Sequence, residues 1–424
     1  MTLNRNPRVA ISGLAVVLAA TLGITGCSSG AQPANEKVVL KVAGTSDTQA
    51  FEKVLLDYTK SHPNVTIQST FVPTDQYTTT TRTQLGANNG ADVFLVFPGS
   101  ANTMSVGPLA KAGAISDLSD QPWVAREKKN WASAVQYDGK TYMYPLGAQT
   151  LGVIYDTALF AKNHITVPTT WTEFLASCDS FNKIGIAPIS VGMQTSYVPQ
   201  FISYALVPST VYIPDPTFDS DHLAGKTSFA ASGWKETLTK YVDLQKAGCF
   251  NKGFNGTTYD QMLNDVATNK AAMTITVSPS FPGIRKANPT GKFAMFPLPA
   301  FDTPAQNGAP EAITVGFAVN AKSKHLAAAK ELVAWINQAG NTPKFAEALG
   351  AVSVEAGAKV PEGLDAMVAK WDKGLVGPFP DSSWPGPEVQ ATHNVVIQQL
   401  FTGQTTVDGA LKQMDVAFNA YLKK

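Results

Sequence analysis

The sequence predicts an α/β protein of two domains, and three observations lead there. At 424 residues the chain exceeds what one hydrophobic core of ordinary size accommodates, so two domains are the natural division. Hydrophobic residues make up 44% and charged residues 15%, the balance of a globular chain rather than a disordered one. Strand-like and helix-like segments also alternate along the chain, the order that builds sheets covered by helices.

Lys37 to Ala43 opens the mature chain as a strand, followed by the turn Gly44-Thr45-Ser46-Asp47. Phe51, Val54, Leu55 and Tyr58 recur at i, i+3, i+4 and i+7, one apolar stripe of a helix that Pro63 closes. Val65 to Val72 alternates as a second strand, completing a strand–helix–strand unit. Asp92 to Phe97 and Gly152 to Tyr155 read as buried strands, the first stopped by Pro98-Gly99. Thr170 and Glu173 form a capping box for a helix to Lys183, with Phe174, Leu175, Cys178 and Phe181 inward, and Ile186 to Val191 returns as a strand. Three amphipathic helices follow around Leu326–Asn337, Glu388–Phe401 and Thr406–Leu422. Pro208 to Asp221 and Pro378 to Pro387 read as surface loops.

Met1 to Gly26 has the pattern of an export signal: Arg5 and Arg8, then the apolar stretch Val9 to Thr25, broken by Gly13 and Gly23. Ile24-Thr25-Gly26-Cys27 resembles a bacterial lipobox, which implies a lipid on Cys27. An ordinary signal peptide that happens to contain Cys27 is the alternative. Residues 27–36, rich in small and polar side chains, then read as a flexible tether. Export leaves Cys178 and Cys249 as an even pair in an oxidising compartment, and a disulfide is favoured over two buried thiols.

Net charge is +1, and no basic run offers a field for nucleic acid. Beyond the leader only Arg82, Arg126 and Arg285 occur, which tilts the ligand away from phosphate or carboxylate, although Arg285 or Arg82 alone could pair with an acid. None of the five histidines falls in a zinc motif, and no C-x-x-C exists, so neither metal nor cofactor is expected. Gly139-Lys140-Thr141 and Gly225-Lys226-Thr227 fail as phosphate loops, because Ala134 and Ser220 stand where the first glycine belongs. No nucleophile elbow is present and no catalytic residue is assigned.

Tyr137-Asp138-Gly139-Lys140-Thr141-Tyr142 with Tyr144-Pro145, followed by Leu151–Asp156 and Leu159-Phe160, resembles family 1 extracellular solute-binding proteins, which include maltodextrin-binding protein. Val167–Phe174, Ala267–Met273, and Leu400–Gln404 with Val407–Leu411 resemble further words of that family in the same order. The resemblance implies the two-lobed periplasmic-binding-protein-like fold of type II, each lobe a mixed sheet flanked by helices, joined by hinge crossovers. The first lobe is expected over 37–147 and 289–337, the second over 148–288 and 338–424. It also implies a monomer that closes over a neutral sugar and delivers it to the transmembrane permease of an ABC importer, outside the cytoplasmic membrane.

A sugar presents hydroxyls in its ring plane and C–H groups on its faces, so its site needs amides, hydroxyls and aromatic rings. Candidates are residues on strand-end loops and crossovers: Ser46 and Asp47, which could equally cap the next helix, then Ser100, Gln149, Gln194 and Tyr197. Trp384 stands where family members often carry a stacking aromatic, and is alternatively a loop-packing anchor. Ser280 and Phe281 stand where the family has a tryptophan, absent at that position here, with Phe281 as a displaced substitute or none; Thr314 to Phe317 reads as a core strand whose Gly316 permits close backbone approach to a ligand. A polyol, an amino sugar or a small anion on the same fold, or a secreted glycosidase, are the alternatives that the residues leave open.

Overall fold

The computed structural model describes residues 37–127, 131–355 and 357–422. The predicted leader (1–26) and the tether with Cys27 (27–36) lie outside the described residues. Among the described residues no helix is long and apolar enough to cross a membrane.

The first sheet grows from the predicted strand–helix–strand unit. Strand β1 (Val38–Thr45) leads into helix α1 (Phe51–Ser61) and returns as β2 (Val65–Val72), parallel to β1 from Val38↔Val65 to Thr45↔Val72. Helix α2 (Thr74–Gly86) then connects to β3 (Val93–Val96), parallel to β1 on its other side. All four residues of β3 are buried, as a strand covered by helices on both faces requires. The stripe Phe51, Val54, Leu55 and Tyr58 is buried as its spacing predicts. Phe51 packs against Phe317 and Phe345 at 5.8 and 5.1 Å between ring centroids.

Four more strands, β4 (Leu151–Asp156), β5 (Ala187–Ser190), β6 (Ala271–Val277) and β7 (Phe293–Phe296), form the second sheet in the order β7-β4-β6-β5. β4 runs antiparallel to both β6 and β7, and β5 runs parallel to β6. Beside it lies the helix Trp171–Lys183, whose Thr170–Glu173 capping box forms as predicted. Cys178 on that helix is disulfide-bonded to Cys249, and both are fully buried.

Strand β8 (Gly316–Val319) closes the first sheet, antiparallel to β3. The two lobes meet where Ala148–Gln149 pairs antiparallel with Ala312–Ile313, and Ala148 also bridges to Val352. Three passes of the chain therefore run side by side at the hinge. This corrects the expected boundaries of 289 and 337. Phe293–Phe296 pairs with β4 in the second sheet, whereas Phe345, Leu349 and Ala351 lie in the first lobe's core. We place the lobe changes at the hinge passes near 148, 312 and 352. Apolar strands carry no mark of the sheet they will join, which is why the sequence missed this.

The two predicted surface loops are likewise corrected. Helix α3 (Gln200–Val207) continues into a wider π-turn at Pro208–Tyr212, with the Ile213 amide donating to the Pro208 carbonyl at 2.9 Å. A wider turn relieves the clash that a proline imposes on the preceding turn. All five residues of that turn are buried, as is Phe218 beyond it. The 378–387 segment is not a surface loop either. Trp384 is only 2% exposed, packed against Tyr204, Phe229, Trp234 and His393.

Candidate ligand-binding cleft

A cavity of about 760 Å³ opens between the lobes. Its first-lobe wall begins at the carboxyl ends of β1 and β3, where Asp47, Thr48, Phe97 and Pro98 line it. In sheets of parallel strands these ends carry the loops free to meet a ligand. The first turns of α2 add Thr74, Asp75 and Thr78, and Trp131 adds a large ring held edge-on to Tyr144 at 5.9 Å. Gln149, Ile313 and Thr314 at the crossovers complete the floor.

Two helices make much of the second-lobe wall. Gln200 and Tyr204 lie one turn apart on α3; Gln390, Asn394 and Gln398 recur every four residues on α4 (Pro387–Phe401). Residues at that spacing share a face of a helix. Tyr197, Phe201 and Tyr259 add a cluster of rings, with Tyr197 5.9 Å from Phe201 and 5.7 Å from Tyr259. The hydroxyl of Ser196 donates to Asp75 Oδ1 at 2.7 Å, joining α2 of the first lobe to the second lobe at the cleft. Gly99, at φ +72°, lies so near the second-lobe segment that an added Cβ would stand 3.2 Å from the Ser382 carbonyl.

The wall contains Asp47, Asp75, Glu311 and Asp381 but no lysine, arginine or histidine among the described residues. Burial in the cleft wall raises the Asp381 carboxyl to about 7; its side-chain partner is Gln390, whose Nε2 donates at 2.8 Å. Asp47 reaches solvent through the cleft, yet protein crowds it enough to raise its carboxyl, against an opposing bond from Thr45. Burial likewise pushes the Tyr197 and Tyr204 phenols far above the ordinary tyrosine range, so both stay neutral.

A family model described as bacterial extracellular solute-binding protein matches residues 43–343. The chain belongs to that family. A relative from Streptococcus mutans, named multiple sugar-binding protein, is 22% identical over 347 residues, 80% of each chain. Among solved structures, RafE in complex with raffinose superimposes with a TM-score of 0.74 at 19% identity, covering 91% of this chain and 100% of its own. A sugar transporter from Bacillus licheniformis in complex with stachyose gives 0.69 at 19% identity, covering 91% and 99%. At these identities the structures establish the fold of this solute-binding protein, two lobes of mixed α/β structure.

Of the ten ligand residues anticipated from sequence, Asp47, Gln149 and Tyr197 line the cleft. The other seven do not. Ser46 is exposed and opens a short 3-10 turn, its carbonyl accepting from the Gln49 amide. Ser100 faces Gly107, and Gln194 is exposed outside the wall, its backbone N–H donating to the Thr257 carbonyl. Ser280 is buried behind the wall, 2.7 Å from the Tyr259 hydroxyl and 2.9 Å from that of Thr276. Phe281 is 1% exposed, in the core beneath the Arg285 guanidinium. Gly316 admits a neighbouring backbone rather than a ligand, since a Cβ there would lie 2.5 Å from the Tyr144 carbonyl. Trp384 is a core anchor, as already described.

None of the three arginines lines the cleft. Arg126 pairs with Glu355, and Arg285 donates to the Glu362 carbonyl at 2.8 Å. The sequence reading missed Trp131, Asp75, Gln200, Tyr204, Asp381 and Gln390. One signal was available: Gln200 is the only amide in the mostly apolar α3 segment QFISYALV.

Proposed function

We propose that this solute-binding protein captures an uncharged sugar or short oligosaccharide between its lobes and releases it unchanged to the permease of an ABC importer. The observation that carries this reading is the composition of the cleft wall. Aromatic rings alternate with hydroxyls, amides and carboxylates, and no cation lines it among the described residues. Rings suit the C–H faces of a sugar, while amides and carboxylates suit its hydroxyls. An anionic ligand would instead meet four carboxylates with no counter-charge in the wall. The volume of about 760 Å³ lies within the ~300–1,000 Å³ usual for small-molecule sites. The sugar-binding relatives support the same class of ligand. Closure follows by hinge motion at the three crossovers, and Cys27 carries the lipid that keeps the protein on the outer face of the cytoplasmic membrane.

The test is calorimetric titration with raffinose, stachyose, xylo- and chito-oligosaccharides and galacturonate oligomers, with chromatography of the recovered sugar. Binding of a neutral sugar, recovered intact, is expected. A panel without a binder, or preference for the uronate, would refute the reading. For the anchor, Cys27→Ala should release the protein from the membrane fraction; unchanged retention would overturn it.

A further inference from the structure

The second-lobe wall contains polar groups that the protein itself leaves open. Tyr204 is 1% exposed and lines the cleft, and its hydroxyl makes no hydrogen bond of good geometry, its polar neighbour being the Gln390 side chain. Asn394 Oδ1, one turn beyond Gln390, is also buried without a partner. Buried polar atoms are nearly always satisfied, so orphans beside a cavity point to an occupant that completes them. The hydrogens of the neighbouring amide are already engaged: the two on Gln390 Nε2 go to Asp381 Oδ2 at 2.8 Å and Gln200 Oε1 at 3.0 Å.

That arrangement fixes the polarity of the site. With its carbonyl oxygen occupied, Gln200 presents its own amide hydrogens; with one oxygen occupied, Asp381 retains accepting capacity on the other. Helical spacing places Gln200 with Tyr204, and Gln390 with Asn394, so α3 and α4 offer the group from two sides.

We propose that Asp381, Gln200, Tyr204 and Gln390 form a subsite that reads a pair of adjacent hydroxyls on the ligand. Asp381 accepts from one hydroxyl, while the Gln200 amide and the Tyr204 phenol donate to the oxygen beside it. A hydroxyl both donates and accepts, so a vicinal diol satisfies a neighbouring acceptor and donor together. Hydrogen bonds to an ionised carboxylate are the stronger kind, which makes Asp381 the principal determinant. A ligand carboxylate at this position would face Asp381 across a wall without a cation. The proposal rests on the sugar-binding reading above and names where that sugar is recognised.

Such a subsite is sensitive to pH. Tyr204 on α3, Tyr212 on the π-turn and Gln390 on α4 are the groups around Asp381, with Asp219 beyond Tyr212; none is cationic. Burial raises the carboxyl to about 7, so the accepting, ionised form is a minor species in mild acid and dominant in mild base. If only that form binds, affinity rises about 30-fold between pH 5.5 and 8.

The experiment is calorimetric titration of the sugar panel at pH 5.5 and 8 with wild type, Asp381→Asn and Tyr204→Phe, each first checked for a folded melting transition. For whichever sugar binds wild type, Asp381→Asn should weaken binding at pH 8 at least tenfold and flatten the pH profile. Tyr204→Phe should weaken it three- to tenfold while leaving the melting temperature unchanged or higher. Should Asp381→Asn fail to fold, the Tyr204→Phe result and the wild-type pH profile decide. A sugar bound equally by wild type and the folded variants, or a pH dependence that survives in Asp381→Asn, overturns the subsite alone. A folded wild type that binds no sugar overturns the sugar reading and the subsite with it.

Discussion

The hydrogen bond between Ser196 and Asp75 gives the most direct handle on closure. Its two partners are fixed to opposite lobes. Asp75 stands in the first turn of α2, which Tyr77 anchors to the first sheet through the Leu95 carbonyl. Ser196 stands on a segment tied to the second lobe by the Gln194 amide to the Thr257 carbonyl at 3.1 Å, and by the Tyr259 amide to Thr195 Oγ1 at 2.9 Å. Neither support bends without cost, so separating the lobes breaks the 2.7 Å bond. A hydrogen bond to a charged group is worth roughly 1.5–3 kcal/mol net, but both residues are exposed and water competes for each. About 1 kcal/mol survives on that account, a factor of about five in an equilibrium. Ser196→Ala should therefore raise the open-to-closed ratio of ligand-free protein about fivefold. Spin labels at Leu56→Cys and Val416→Cys, exposed on opposite lobes, report the ratio as two distances in a pulsed dipolar measurement. Ligand release should accelerate by a similar factor. An identical distance distribution in wild type and variant refutes the role of this contact in holding the closed form.

Three further outcomes are expected. Replacing Cys178 and Cys249 by alanine removes a bridge across a sequence separation of 71 residues; the chain-entropy term is about 4 kcal/mol, a fall of roughly 5 °C in melting temperature if both lobes melt together. An unchanged melting temperature would contradict it. Trp384→Ala should cost about 3–5 kcal/mol in urea unfolding, because its ring is enclosed by four aromatic neighbours; a loss under about 1 kcal/mol would return Trp384 to the surface. Acid acts through two opposed groups. Burial depresses His222 to about 4 and His393 to about 3, so below about 6.5 the unfolded chain takes up protons that the folded one refuses, and stability falls with pH. Asp381, raised to about 7, takes up its proton in the folded state first, so its contribution grows as pH falls from 7 towards 4. Between pH 7 and 5 the histidines remove about 4 kcal/mol and Asp381 restores about 2. Asp381→Asn should thus lose about 2 kcal/mol more than wild type over that interval; equal losses in thermal unfolding would exclude a raised Asp381.

Local patterns carried far along this chain where one element meets one core. The α1 stripe, the Thr170–Glu173 capping box and the paired cysteines are each decided within a few residues or by compartment, and all appear in the structure. Patterns failed where the deciding contact is distant. Phe293–Phe296 is apolar whichever sheet it joins; its place comes from pairing with Val153–Asp156, some 140 residues earlier. Proline-rich segments look solvent-facing because most are, but Pro208–Tyr212 and Trp384 are enclosed by elements that no local window contains.

The cleft itself is hidden for a related reason. A helix that borders a cavity needs polar residues on the cavity side and apolar residues on the core side, and so does a helix that borders bulk water. Gln390, Asn394 and Gln398 on α4 therefore read as an ordinary solvent stripe, with Val389, His393, Val396 and Ile397 turned to the core. What separates the two cases is the partner across the gap. Gln390 meets Gln200 across 190 residues of chain, and Asp75 meets Ser196 across 121. Neither separation leaves a trace in periodicity or composition. A polar side chain inside an otherwise buried helix does leave one, because burial without a partner is costly and so requires a reason. Tyr204 is that case, flanked by Ser203 and Ala205, each fully buried. On the proposed subsite its hydroxyl ties folding to recognition: a wall group that the fold leaves without a good hydrogen bond is open to a ligand, and removing it should weaken binding without weakening the fold.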